Sequence, residues 1–347
     1  MLDRLTIASN QGTFGGGEVM LLAIAEAARE LEIDVTVVAP ADPGEVVRRA
    51  RLRGFSTVAI PGSSRRSYLT NLRRWDQDER QGILWCNGLR PAFATSGHVG
   101  RVVHLHQEPR GPLAAASHLA RRQSLATIVP SDFMSHQIPG STVLTNWTAP
   151  PTPRRHRAPA PTPRIGYLGR LSSDKGVPVL CDAVRSMIDE GIDVELLLAG
   201  DARFVSTQDE RRVSSAIHRL GDSVTCPGWM DRNDFFSAID LAVFPSTWAE
   251  PFGLVAAEAM GARCPFVVSD SGALPEVVGA DYPFVARAGD AEDLARTLTA
   301  GLDAPWSEML TASYERWEAL FSPEAGRGRL ATLLQSLPTS TRGVVTA

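Results

Sequence analysis

The stretch STWAEPFGLVAAEAM, residues 246–260, holds two carboxylates, Glu250 and Glu258, eight positions apart on either side of a Pro-Phe-Gly turn. The preceding DLAVFP has the apolar character of a buried strand, and Pro251 suits the first position of a helix. This reading puts Glu250 in the strand-to-helix turn and Glu258 inside the helix. Between them lie the free N–H groups of Phe252, Gly253, Leu254 and Val255. A helix N-terminus attracts anions, so the arrangement suits a ligand with phosphate in its middle and hydroxyls at both ends. Glu250 could instead do no more than favour the helix dipole. Glu258, on an otherwise small and apolar stripe, wants a polar partner, which ribose hydroxyls would supply.

A second group of residues could meet the phosphates. Of 35 basic residues, one is lysine, Lys175, and it stands beside Arg170 in LGRLSSDKG. Lysine's compact ammonium reaches a phosphate as a point charge, unlike arginine's planar fork. Two uncompensated cations at one site are expensive unless an anion joins them; a solvated pair is the plainer alternative. NQGTFGGGEVM, after the first strand, carries Gly12, Gly15, Gly16 and Gly17. It permits close backbone approach to a ligand, or is a flexible turn. It is neither G-x-G-x-x-G nor a P-loop. VVHLHQEP puts His104 and His106 on the same face of a strand, with His106 nearer the end and better placed to touch a sugar. His104 can be structural or functional. No third ligand at suitable spacing makes the histidine pair a metal site.

These residues need elements to hold them, and the hydrophobic periodicity supplies a βαβα alternation. LTIASN, DVTVVAP, STVAIP, GILWCN, RVVHLH, LATIVPS and STVLTN read as strands in the first half. GEVMLLAIAEAARELEI and PGEVVRRARLRG read as helices there. The pattern restarts with RIGYLGR, DVELLLAGD, SVTCPGW, LAVFPS and CPFVVSD as strands, separated by helices. Helical segments over about 291–302 and 307–337 and a frayed TSTRGVVTA tail follow. Between the halves, the proline-rich APPTPRRHRAPAPTP reads as a semi-rigid linker. The expected architecture is two doubly wound Rossmann-like domains, with parallel sheets whose carboxyl edges face a central cleft. The boundaries are 1–150, a linker over 151–163, 164–320, and a C-terminal segment 321–347.

Composition limits the function classes. The chain is 44% hydrophobic and 21% charged, an ordinary globular balance. Its formal net charge of −4 gives no case for nucleic-acid binding. No apolar run approaches the roughly 20 residues needed to span a bilayer, and MLDRLTIASNQG lacks a signal peptide's apolar region. Cys86, Cys181, Cys226 and Cys264 form no C-x-x-C pair, so a reducing cytoplasm is the default.

In this order and at these spacings, GRLSSDKG, LLLAGD, GWM, VFPSTWAEPFGLVAAEAM and SDSGALPEVVG resemble the retaining glycosyltransferases of the GT-B fold, family GT4. The likeness runs over nearly the whole chain and is strongest over 165–278. The resemblance implies a transferase that takes a sugar from a nucleoside diphosphate sugar, UDP before GDP, with no cofactor and no metal. Arg170 and Lys175 would hold the diphosphate and neutralise its charge as it leaves. Glu258 would bind the ribose. Glu250, with the amides of Phe252, Gly253, Leu254 and Val255, would hold the sugar's hydroxyls and the distal phosphate. Gly15, Gly16 and Gly17 would approach the diphosphate from the first domain, and His106 would face the donor sugar. Backbone at Gly228, Trp229 and Met230 would contact the base, and the C-terminal helix would cross back to the first domain. The competing classes are a nucleotide-sugar epimerase on the same fold and a non-catalytic sugar-nucleotide-binding partner. The short first half and the absence of an Asn-Gly turn in NWTAPPTP depart from the family pattern.

The acceptor, a sugar, lipid or metabolite, falls to the first half. Residues 1–150 carry 16 Arg against 13 acidic residues. The pairs Arg65–Arg66 and Arg73–Arg74 recur eight residues apart in SSRRSYLTNLRRW. If that stretch is helical, they make a basic face for a phosphorylated acceptor or for peripheral contact with an anionic membrane at the inner face. Otherwise the stretch is a solvated loop, its charge offset by the following DQDER.

Overall fold

The alternating pattern is realised as two sheets, each entirely parallel, in a computed structural model that describes residues 2–149, 152, 162–202 and 205–338. One unit takes the described residues up to Trp147 and those from Pro323 onward; the second spans Thr148–Ser322. Most of the expected linker at 151–163, and the TSTRGVVTA tail, lie outside the described residues.

The first unit has strands β1 (Arg4–Ser9), β2 (Asp34–Pro40), β3 (Ser56–Ile60), β4 (Ile83–Asn87), β5 (Arg101–His104), β6 (Ala126–Val129) and β7 (Thr142–Val143). They are ordered β3-β2-β1-β4-β5-β6-β7. Its helices are α1 (Gly16–Glu30), α2 (Glu45–Leu52), α3 (Arg65–Asp78), α4 (Leu89–Ala94), α5 (Pro112–Arg121) and α6 (Asp132–Gln137). The arginine-rich stretch is therefore a helix and not a loop. A capping box between Ser64 and Ser67 starts α3, and Tyr68, Leu72 and Trp75 bury one face of it.

The second unit has β8 (Arg164–Leu168), β9 (Glu195–Ala199), β10 (Val224–Gly228), β11 (Leu241–Phe244), β12 (Phe266–Ser269) and β13 (Val285–Ala286), ordered β10-β9-β8-β11-β12-β13. Its helices are α7 (Val177–Asp189), α8 (Thr207–His218), α9 (Arg232–Ala238), α10 (Leu254–Gly261), α11 (Leu274–Val278), α12 (Ala291–Leu302) and α13 (Trp306–Phe321). Period-two alternation divides the strand residues between two cores. Ile165, Leu196, Leu198 and Val243 face one side, where α7 and α12 supply Leu180, Val184 and Leu298. Leu197, Ala242, Phe244 and Phe266 face the other, where α9, α10 and α13 supply Phe235, Ala256 and Trp317.

The expected helical run over 307–337 is broken. Pro323 cannot continue α13, so it opens α14 (Pro323–Ser336) at the first helical position. This last helix belongs to the first unit and packs on α1. Arg327 pairs with Glu30, and Gly326 lies so close to Trp147 that a Cβ there would be 2.2 Å from its indole. No helix among the described residues is long and apolar enough to cross a membrane.

The strand order reverses between β1 and β4 in one sheet and between β8 and β11 in the other. At such a switch point adjacent loops leave in opposite directions and open a crevice at the carboxyl edge. The loops after β8 and β11 carry Arg170, Lys175 and Glu250.

Candidate functional site: paired charges at the β8–β11 switch point

The loops after β8 and β11 are joined by main-chain contacts. The Thr247 and Trp248 N–H groups donate to the Asp174 carbonyl at 3.0 and 2.9 Å. Gly176 caps α7 with φ of 77°, and a Cβ there would stand 1.8 Å from the Pro245 carbonyl oxygen. No other residue permits both that conformation and that approach. Across the junction Lys175 Nζ reaches Glu250 Oε1 at 2.5 Å, and Ser246 Oγ donates to the same oxygen at 2.5 Å. The loop after β12 fixes Glu250 from behind, where the Ala273 N–H donates to its carbonyl at 2.8 Å.

Arg170 Nη2 lies 2.6 Å from Asp174 Oδ2, and Ser172 Oγ donates to the other Asp174 oxygen. The two cations therefore do not stand uncompensated, as their sequence neighbourhood suggested. Each has a carboxylate, Asp174 for Arg170 and Glu250 for Lys175. The loop still offers donors: Arg170 Nε and Ser173 Oγ are buried without a hydrogen-bond partner among the described residues.

Pro251 does not open the helix. The turn continues through Pro251 and Phe252, and α10 starts at Leu254 after Gly253, whose φ is 96°. The Leu254 and Val255 N–H groups, in the first turn, have no carbonyl four residues back within the helix. Phe252 is 3% exposed and its ring packs on Phe321 at 5.5 Å, so only its backbone is available to a ligand. Glu258 lies one and a half turns into α10 and already has a partner. Arg232 Nη1, from the start of α9, donates to its Oε1 at 3.1 Å. Burial pushes the Glu258 carboxyl up, and the Arg232 charge opposes this. Gly228, with φ of 81°, ends β10; after it Trp229 is 70% exposed, while Met230 packs against the core.

In the first unit, Gly15 is the N-cap of α1, and Gly16 and Gly17 form its first turn; they are not a loop. Glu18 folds back beside this terminus, with Gln11 Nε2 at 3.3 Å and Ser9 Oγ at 3.4 Å, and burial raises its carboxyl to about 7. His106 Nε2 lies 2.9 Å from Asn87 Oδ1, and Asn87 Nδ2 donates to the Gly17 carbonyl at 2.9 Å. Burial lowers the His106 imidazole to about 4, so it is neutral at physiological pH. His104 is fully buried, with its ring centroid 4.0 Å from that of His106 and both nitrogens unpartnered among the described residues. All four α3 arginines, Arg65, Arg66, Arg73 and Arg74, are exposed, and Arg65, Arg66 and Arg74 leave their guanidinium groups to solvent, without a hydrogen-bond partner among the described residues. Arg73 Nη1 instead donates to the Ala94 and Ser96 carbonyls at 2.9 Å each, so this residue braces the end of α4. No group of three or more His, Cys, Asp or Glu among the described residues could hold a metal.

With this geometry in place, comparison with known proteins adds a decisive match. Residues 162–303, which contain Arg170, Lys175, Arg232, Glu250 and Glu258, match the family model described as Glycosyl transferases group 1. This segment is a group 1 glycosyltransferase domain. The chain is 28% identical over 135 residues to the capsular polysaccharide biosynthesis glycosyltransferase CapM of Staphylococcus aureus, covering 39% of this chain and 35% of CapM. It is 27% identical over 326 residues to the phosphatidyl-myo-inositol mannosyltransferase of Mycobacterium leprae (strain TN), covering 82% and 83% of the two chains. The matched stretches span only about a third of the length of the curated relatives CapM and, in Bacillus subtilis (strain 168), spore coat protein SA (35% and 31%). Among solved structures, Anabaena HepE in complex with UDP and glucose superposes with a TM-score of 0.82 at 21% identity, covering 97% of this chain and 100% of that one. The fold is GT-B.

In the group 1 domain, Lys175 and Glu250 pair across the β8–β11 junction, Arg170 pairs within its own loop with Asp174, and Glu258 stands apart with Arg232. Asp174, Ser246 and Arg232 escaped the sequence reading. Ser246, four residues before Glu250, and Asp174, beside Lys175, are in stretches already singled out. Nothing in the sequence marked Arg232 as a partner.

Proposed function

We propose that the chain transfers a sugar from a nucleoside diphosphate sugar to an acceptor hydroxyl with retention of anomeric configuration and without a metal. The observation that carries this reading is the charge arrangement at the β8–β11 junction. Lys175 and Ser246 converge on Glu250, beside an arginine with an open buried donor. A diphosphate entering there meets Arg170, Lys175 and the first-turn N–H groups of α10, which take up charge as the leaving group departs. Glu250 accepts from the sugar's hydroxyls, Glu258 from the ribose, and the backbone at Gly228, Trp229 and Met230 meets the base. The bond from the sugar's anomeric carbon to the phosphate oxygen breaks, and the bond to the acceptor oxygen forms on the same face. The acceptor's proton passes to the leaving diphosphate, so no separate base is required.

UDP is the favoured nucleotide, since the HepE complexes hold UDP, UDP and glucose, or UDP-glucose. GDP is the second choice, since relatives in mycobacteria and corynebacteria are named as GDP-mannose-dependent. The test is a panel of UDP, GDP and ADP sugars, followed for hydrolysis and for transfer to sugar and lipid acceptors, with and without EDTA. Hydrolysis of one donor, undiminished by EDTA, is the expected result. Loss in EDTA restored by magnesium overturns metal independence, and conversion of the donor to its epimer with no acceptor present overturns the transferase itself.

The acceptor is an anionic lipid or phosphorylated sugar met by the exposed α3 arginines, a placement consistent with the lipid acceptor in the name of the Mycobacterium leprae relative. Replacing Arg65, Arg66 and Arg74 with glutamine is expected to raise the acceptor's KM several-fold and leave donor hydrolysis unchanged. Unchanged acceptor kinetics, with no binding of wild type to vesicles containing anionic lipid, would remove this assignment.

A further inference from the structure

Arg232 opens α9 directly after the turn at residues 228–231, and no motif marks it. Its Nη1 donates to Glu258 Oε1 at 3.1 Å, and the two side chains are 27% and 14% exposed. The pair ties two elements together, the turn that follows β10 and the helix that follows β11. Around Glu258 on α10, Ala256, Ala257, Ala259 and Met260 are all buried. The contact thus gives an inward-facing carboxylate its counter-charge in an apolar setting. Glu258 Oε2 has no protein partner among the described residues.

The neighbouring charges bear out this isolation. Arg232 is the group that favours the charged form of Glu258, and Asp231 at the start of α9 opposes it. On α13, which also packs on α10, Arg316 is engaged with the Val277 and Glu276 carbonyls at 2.8 Å each. Among the described residues, Arg232 is the cation that acts on the Glu258 carboxyl.

We propose that Arg232 is a positioning residue for nucleoside recognition. It anchors one oxygen of Glu258, holds the carboxylate ionised with its other oxygen open to a ribose hydroxyl, and fixes the base-contacting turn at Gly228, Trp229 and Met230 against that acid. This rests on the functional reading above, in which Glu258 takes the ribose. An ionised acceptor forms hydrogen bonds about twice as strong as a neutral one. Without Arg232, burial is opposed by no cation among the described residues and Glu258 takes up a proton. Because ionised Glu258 binds the ribose better, binding lost on removing Arg232 is regained as the pH rises through the raised pKa.

The test is calorimetric titration of UDP, GDP and inorganic pyrophosphate into wild type, Arg232→Gln, Arg232→Lys and Glu258→Gln, from pH 6 to pH 9. A shift of one pKa unit corresponds to a factor of about ten. Arg232→Gln is therefore expected to weaken the preferred nucleoside diphosphate about tenfold at pH 7 and to recover toward pH 9, with pyrophosphate binding unchanged. Arg232→Lys restores most of the loss, and Glu258→Gln is weak at every pH. Wild-type affinity in Arg232→Gln overturns the proposal. So does a loss that is independent of pH, or one shared equally by pyrophosphate. If Arg232→Gln does not fold, the lysine variant carries the test, and a loss in it as large as in Glu258→Gln with no pH dependence counts against the proposal. Wild type that binds pyrophosphate but neither nucleoside diphosphate overturns the functional reading itself, and this inference with it.

Discussion

Replacing Lys175 with alanine will lower transfer from the nucleotide sugar by about 10²–10³-fold, the effect of removing one preorganised donor from a developing oxyanion. Arg170→Ala will do nearly as much. Lys175 Nζ lies 2.5 Å from Glu250 Oε1, so the substitution also strands a carboxylate whose side chain is 12% exposed. That carboxylate would then repel the diphosphate the lysine is there to receive. Arg170 lies at a more open place, and its partner Asp174 is 38% exposed, so its loss disturbs the fold less. Steady-state kinetics with a melting curve on each variant separates lost chemistry from lost structure. Near-wild-type rates in both would end the phosphate role. The sequence offers a second check, because Lys175 is the chain's single lysine. Acylation of side-chain amines will inactivate the protein, and bound nucleoside diphosphate will protect it.

The two glutamates will fail in opposite ways. Glu250→Gln will cut transfer by about 10²-fold while leaving the affinity for free nucleoside diphosphate unchanged or higher. The carboxylate that goes is the one that neutralises Lys175, and its removal releases the ammonium to the phosphates. What is lost is a charged acceptor for the sugar's hydroxyls, worth about 1.5–3 kcal/mol per bond. Glu258→Gln will weaken free nucleotide and nucleotide sugar alike, since both carry the ribose. Calorimetry with the free diphosphate beside kinetics with the sugar nucleotide reads the difference. Identical behaviour of the two variants would dissolve the assignment of opposite ends.

Much of this protein is determined by local pattern. Strand residues alternate between two apolar faces, as at Ile165, Leu196, Leu197 and Leu198, and the helices between them carry apolar stripes. Two parallel sheets follow because each face must be buried. Arg170, Lys175 and Glu250 fall at strand ends in that same pattern, so their meeting at one sheet edge was legible too.

The tertiary structure decided which charge answers which. Lys175 and Glu250 are 75 residues apart and Arg232 and Glu258 are 26 apart. Linear spacing carries no information on such pairs, and cations that look uncompensated along the chain turn out to be neutralised across it. Helix starts behaved likewise. Pro251 has the right chemistry for a first helical position, yet α10 starts only after Gly253, whose φ of 96° and close approach to Leu274, 2.5 Å from a Cβ placed there, are constraints met at the start of α11 and not within the motif itself. His106 differs from an exposed histidine only through burial against Asn87 and the first turn of α1. Local sequence sets which residues reach the sheet edge; packing of distant loops against one another sets their charge state and their partners, because desolvation and ion pairing depend on distances through space.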